Sequence, residues 1–149
     1  MVNAYRGETE LQLGGRTYTL RFTTNAWARL ESDLDAYGFS LLQKLLQGGA
    51  TSMRAVFHTC LTTPTERDQP AQCPGLTPED MGYLLDAAGG IGAVEVKLTY
   101  WLLMVNAELL DRETAEKNGL IPKSKGPKES DVPETNVPQM RLASGNAGS

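Results

Sequence analysis

The stretch VEVKLTYWLLMVNAELL, residues 94–110, is the longest helix-compatible run in the chain and the most apolar. Val94, Leu98, Trp101, Leu102, Val105 and Leu109 recur at spacings of three and four, which places them on one helical face. Tyr100, Leu103 and Met104 widen that stripe until little of the middle is polar, so the helix must be covered on more than one side. Its uncharged part, Leu98 to Ala107, lies between Lys97 and Glu108 and reaches about half of the roughly 20 apolar residues that a bilayer requires. The pattern predicts the central helix of a soluble domain, its apolar face packed as core or offered to a partner.

The preceding chain supplies the cover. Thr9, Leu11 and Leu13 alternate with Glu8, Glu10 and Gln12; Tyr18, Leu20 and Phe22 alternate with Thr17, Thr19 and Arg21. Gly14-Gly15 between them fits the positive φ angles of a tight primed turn, so the two runs predict a β-hairpin with one apolar face. Thr23 or Thr24 is a candidate cap for a helix carrying Trp27, Leu30, Leu34 and Tyr37 and ending at Gly38. A short helix opens at Ser40 with the stripe Leu41, Leu42, Leu45 and Leu46, and Gly48-Gly49 stops it. Another opens at Ser52 with Met53, Val56, Phe57, Cys60 and Leu61 on its apolar face. TPTERDQPAQCPG, residues 63–75, reads as an exposed loop. Thr77-Pro78-Glu79-Asp80 carries a complete helix-start signal: a capping hydroxyl, proline at the first helical position, and acids at the positive end of the dipole. Met81, Leu84, Leu85 and Ala88 form the stripe that follows. The fold class expected is α+β and mainly helical: an N-terminal β-hairpin, about five short-to-medium helices, and a disordered C-terminal tail.

The tail is inferred from composition. Residues 112–149 hold no aromatic residue and four prolines, and end SGNAGS, which cannot offset chain entropy by burial. The chain therefore divides into a hairpin-plus-helices domain, residues 1–111, and a flexible, mostly disordered tail, residues 112–149, with room for helix to continue to about Asn118. Residues 1–111 hold eight Lys/Arg and thirteen Asp/Glu, a net charge of −5; the remainder hold six and five, a net of +1. An acidic domain is not built to seek phosphate backbones, and Lys123, Lys125 and Lys128 are balanced at once by Glu129, Asp131 and Glu134. No apolar secretory segment opens the chain, so a reducing cytoplasm is the expected compartment.

The residues offer little chemistry. His58, Cys60 and Cys73 lack the number and spacing of a zinc site. Asp33, Asp35 and Gly38 resemble the opening of a calcium loop, but its twelfth position is Lys44 rather than glutamate. Gly48-Gly49 and Gly89-Gly90-Ile91-Gly92 follow helices and lack the phosphate-loop lysine, so they read as helix stops. Glu79 and Asp80 are accounted for by capping, and a single histidine leaves few options for a Ser-His-Asp set. No catalytic, cofactor-binding or metal-ligating residue is expected, and the expected class is not an enzyme.

The hairpin opening Gly7-Glu8, the turn Gly14-Gly15, the strand Tyr18-Thr19-Leu20-Arg21, and the helix entered through Thr23 with Ala26, Leu30 and Glu31 resemble the start of the phage tail assembly chaperones, in the branch found in gene transfer agents and related prophages. The resemblance covers about the first 35 residues, and the loop at 63–75 and the tail depart from the compact form of that branch. It implies a non-enzymatic factor of tail morphogenesis in the bacterial host cytoplasm, absent from the mature virion. Such a factor binds the tape measure protein, recruits major tail tube subunits and self-associates, with no cofactor, nucleic acid or membrane. The contact regions expected are Tyr18, Leu20 and Phe22 on the hairpin, Trp101, Leu102 and Val105 on the central helix, and Val132, Val137 and Met140 in the tail. The competing expectations are a tail tube or tail-completion protein retained in the virion, against which the two strand patterns weigh, and a helical DNA-binding regulator, for which no helix is basic enough.

Overall fold

A computed structural model describes residues 7–123. Two strands, β1 (Glu8–Leu13) and β2 (Arg16–Arg21), precede six helices: α1 (Thr24–Leu34), α2 (Phe39–Gln47), α3 (Ala50–Thr62), α4 (Pro78–Ala87), α5 (Val94–Asn106) and α6 (Arg112–Lys117). The fold is α+β and mainly helical. The hairpin is antiparallel, with Leu13 opposite Arg16 and Glu8 opposite Arg21. Gly14 and Gly15 turn at φ 56° and 80°, both in the region a primed turn requires. The inward set Thr9, Leu11, Leu13, Tyr18 and Leu20 is buried, as the period-two pattern predicts.

The sheet lies on the helices through β1 against α5 and, less extensively, α4, and through β2 against α3, while α1 and α4 flank α3. Met53, Val56, Phe57, Cys60 and Leu61 are all buried, so the predicted face of α3 is its packed face. Thr23 caps α1 by accepting from the Ala26 N–H at 3.1 Å. Thr77 and Asp80 form a reciprocal capping box at the start of α4.

Three boundaries or faces differ from the sequence expectation, besides that of α5. Helix α1 ends at Leu34 rather than Gly38, because Asp35 itself takes the left-handed conformation (φ 48°, ψ 47°) and closes the helix onto Glu31. Tyr37, assigned to the α1 stripe, is 61% exposed. The chain at 63–75 is the exposed loop the sequence predicts, and it is anchored at its ends. Arg29 donates to Thr62 O and to Thr63 Oγ1, the Cys73 N–H donates to Leu61 O, and His58 Nε2 bonds Leu76 O. The domain also runs past residue 111. Asp111 caps α6, and Ala115 and Ile121 join the hydrophobic core. A short amphipathic turn carries too few apolar residues for composition alone to separate it from a tail.

The largest correction concerns α5. Its buried residues are Val96, Thr99, Tyr100, Trp101, Leu103 and Met104, whereas Leu98, Leu102 and Val105 are half-buried and Val94 is 79% exposed. Of the expected stripe only Trp101 is fully buried; Leu98, Leu102, Val105 and Leu109 border the core half-buried, and Val94 lies outside it. A helix apolar all round carries no periodic signal to orient it. Its orientation follows from its neighbours: α5 packs against β1, and its Leu98 and Leu102 flank borders two grooves instead of a packed element.

Candidate docking surface

Tyr100 fixes α5 at the centre of the domain. Its hydroxyl donates to Leu45 O at 2.6 Å, and its ring meets Phe57 and Trp101 edge-on with centroids 6.0 and 5.1 Å apart. Burial pushes the phenol pKa well above its ordinary value. With Tyr100 inward, Leu98 and Leu102 turn to the opposite flank, where they line two grooves.

The first groove, about 270 Å³, lies between β1 and α5 and is walled by Glu10, Leu11, Gln12, Ala88, Leu98 and Leu102, with Glu95 also facing it. The second, about 640 Å³, lies along the Val94, Leu98 and Trp101 side of α5 and is closed by Met53 and by Leu120, Ile121 and Pro122. Leu98 is common to both, so the grooves adjoin across one side chain. The surface is apolar at its floor and acidic at the β1 rim.

The two edges of the hairpin are treated differently. At the β2 edge, the Gln72 carboxamide receives the Thr19 N–H at 3.1 Å and donates to the Thr19 carbonyl. That side chain occupies the position a third strand would take. Because Thr19 turns its backbone groups away from β1, its partner Glu10 turns its own away from β2, and so does Gln12 two residues on. Asn106 covers the Glu8 end of this edge by donating to Glu8 O at 3.1 Å and Thr9 Oγ1 at 2.9 Å. The outward N–H and C=O groups of Glu10 and Gln12 have no partner among the described residues.

The expected contact residues divide accordingly. Tyr18 and Leu20 are buried at 7% and 0% exposure and build the core; Trp101, 8% exposed, packs in the core and lines the second groove with its remaining edge. Phe22 lies just beyond β2, half-buried, with its ring 5.6 Å from Trp27. Leu102 and Val105 are half-buried, but only Leu102 reaches the grooves; Val105 lines a separate recess with Leu109 and Leu110. Val132, Val137 and Met140 lie outside the described residues. Leu98, Glu10 and Gln12 were not singled out as contact residues. The available signal was the polar alternation of β1, which marks an exposed side and does not tell which edge is open.

No group of three His, Cys, Asp or Glu residues able to hold a metal occurs among the described residues, and no helix there is long and apolar enough to cross a membrane. His58 is engaged by the Leu76 carbonyl at 2.8 Å, and burial pushes the Cys60 thiol up to about 12. Compared with known proteins, the chain matches no family model, no curated protein and no solved structure.

Proposed function

We propose that this chain is a non-enzymatic tail assembly chaperone of a long-tailed phage, prophage or gene transfer agent. It binds the tape measure protein and recruits tail tube subunits in the bacterial cytoplasm, and it leaves before the particle is complete. One observation carries the reading: the outer flank of α5, with Leu98 and Leu102 over two adjoining grooves and Val94 exposed beside them, is a grooved apolar surface, whereas Tyr37, Phe39 and Tyr83 are exposed on other elements and line neither groove. Such a surface suits the apolar face of a long amphipathic helix, the chemistry of a tape measure protein. The sheet adds support against a tail tube subunit, since two strands give a ring little to close with.

Co-expression with the tape measure and tail tube proteins of the same genome tests the assignment. The expected result is a soluble, co-purifying tape measure protein, and loss of that capture in Leu98→Glu/Leu102→Glu while the variant still melts cooperatively. A tape measure protein that stays insoluble and uncaptured beside folded wild-type chain sinks the proposal. Detection of the chain in purified particles would assign it to the retained tail components instead.

A further inference from the structure

The open edge of β1 is short, acidic and placed over an apolar floor. Glu10 and Gln12 present two N–H and two C=O groups outward, and Leu98 and Leu102 lie beneath the position a neighbouring strand would fill. A strand added there would bury alternate side chains against Leu98 and Leu102 and turn the others outward beside Glu10. Its sequence must therefore read apolar, polar, apolar, with a cation at the polar position to meet Glu10.

We propose that residues 139–143 of this chain, Gln139-Met140-Arg141-Leu142-Ala143, dock on the β1 edge as a third strand. Met140 and Leu142 are the only two large apolar residues spaced by two in residues 124–149, and the residue between them is an arginine. With both facing Leu98 and Leu102, Arg141 shares the outward face with Glu10 in either strand direction. Pro138 immediately precedes the segment, where its missing N–H removes nothing from the pairing.

The reach is sufficient. Pro122 walls the larger groove on one flank of α5, and the β1 edge lies on the other, with Leu98 between them. Residues 124–138 span up to about 50 Å when extended, against a helix width of about 10–12 Å. A tether of this length gives an effective concentration on the order of 1 mM, so an intrinsic dissociation constant near 0.1 mM leaves the strand about 90% docked. A second copy's β1 suits the edge less well, because antiparallel pairing of two such edges brings Glu8 and Glu10 of both copies onto one face. Gln72 already fills the other edge, so the sheet grows on the β1 side alone.

A docked strand would compete with an assembly partner for Leu98 and Leu102, so the strand addition is read in the isolated full-length chain, where no partner is present and its failure leaves the assembly role untouched. Amide hydrogen exchange of Glu10 and Gln12 is followed by NMR in the wild type and in Met140→Asp/Leu142→Asp. The Thr9 and Leu11 amides, which face β2, serve as the internal reference. The wild type is expected to exchange about tenfold more slowly at Glu10 and Gln12 than the variant, independently of protein concentration. Arg141→Glu should lose part of that protection, and Glu10→Arg combined with it should restore it. Equal exchange in wild type and double variant overturns the proposal. Protection that appears only at high concentration together with a dimeric mass overturns it too, and gives the edge to a second copy.

Discussion

Thr59 is fully buried on α3, and its hydroxyl has no hydrogen-bond partner. Thr62 on the same helix and Thr99 on α5 avoid this by donating to the carbonyl four residues back, His58 O at 2.7 Å and Glu95 O at 2.8 Å. An unpaired buried hydroxyl costs about 1–3 kcal/mol, and valine has nearly the same shape without it. Thr59→Val should therefore raise stability by about 1 kcal/mol, seen as a higher urea midpoint with an unchanged slope. The next residue, Cys60, is buried against the same core, and its thiol is pushed up to about 12 from an ordinary value of 9.0. Cys73 is half-exposed. A thiol reagent at pH 8 should titrate one cysteine quickly in the native protein and two after denaturation. The same shift has a stability sign. The folded state keeps the Cys60 proton while the unfolded chain loses it, so the stabilisation is complete below pH 9 and declines as pH rises toward 12. Its slope is at most about 1.4 kcal/mol per pH unit, and Tyr100 adds a decline of the same sign above its ordinary value of 10.0. Chemical denaturation at pH 8 and pH 10.5 checks this, with lower stability expected at the higher pH.

Helix α2 ends at Gly48, whose left-handed φ of 69° no β-carbon would accept easily. A Cβ there would also lie 2.7 Å from the indole of Trp101. Strain and overpacking act together, so Gly48→Ala should cost about 2–3 kcal/mol, whereas Gly14→Asn, with open space around it and a turn position asparagine tolerates, should cost under about 0.5 kcal/mol. Thermal melts of the two variants separate these outcomes. The glycine stop itself was legible in the sequence, as were the hairpin, the face of α3 and the capping box of α4, because each rests on local chemistry: a turn that needs positive φ, a strict period, or a hydroxyl three residues before an acid. The approach of Trp101 to Gly48 was not legible, since it joins elements separated by some fifty residues. The orientation of α5 failed for a related reason. Leu98, Leu102 and Leu103 are interchangeable to a hydropathy pattern, and only the packing of α5 against its neighbours decides which is covered. The open β1 edge was hidden likewise, because its openness depends on where Gln72 and Asn106 reach.

At the scale of the whole molecule, the place where the packed domain ends decides what a truncation removes. Composition sets that end at Asp111, but α6 and the segment after it return to the core: Ala115 is fully buried, Ile121 is 4% exposed, and Leu120 and Ile121 close the groove that shields Met53 and Trp101. A chain stopped at Asp111 loses those side chains together with the α6 cap and uncovers one flank of α5. Truncating a single buried Ile or Leu to alanine costs about 2–5 kcal/mol, so removing this whole segment should cost at least about 3 kcal/mol, a large fraction of the roughly 5–15 kcal/mol that holds a domain folded. A chain stopped at Lys123 keeps every buried residue described above and should melt cooperatively within about 1.5 kcal/mol of the full chain, the remaining difference being what a docked third strand contributes. The measurement is a pair of urea titrations on residues 1–111 and 1–123. A gap of about 3 kcal/mol or more between them, or loss of the cooperative transition in the shorter chain alone, makes residues 112–123 part of the domain; coincident curves would return the boundary to Asp111.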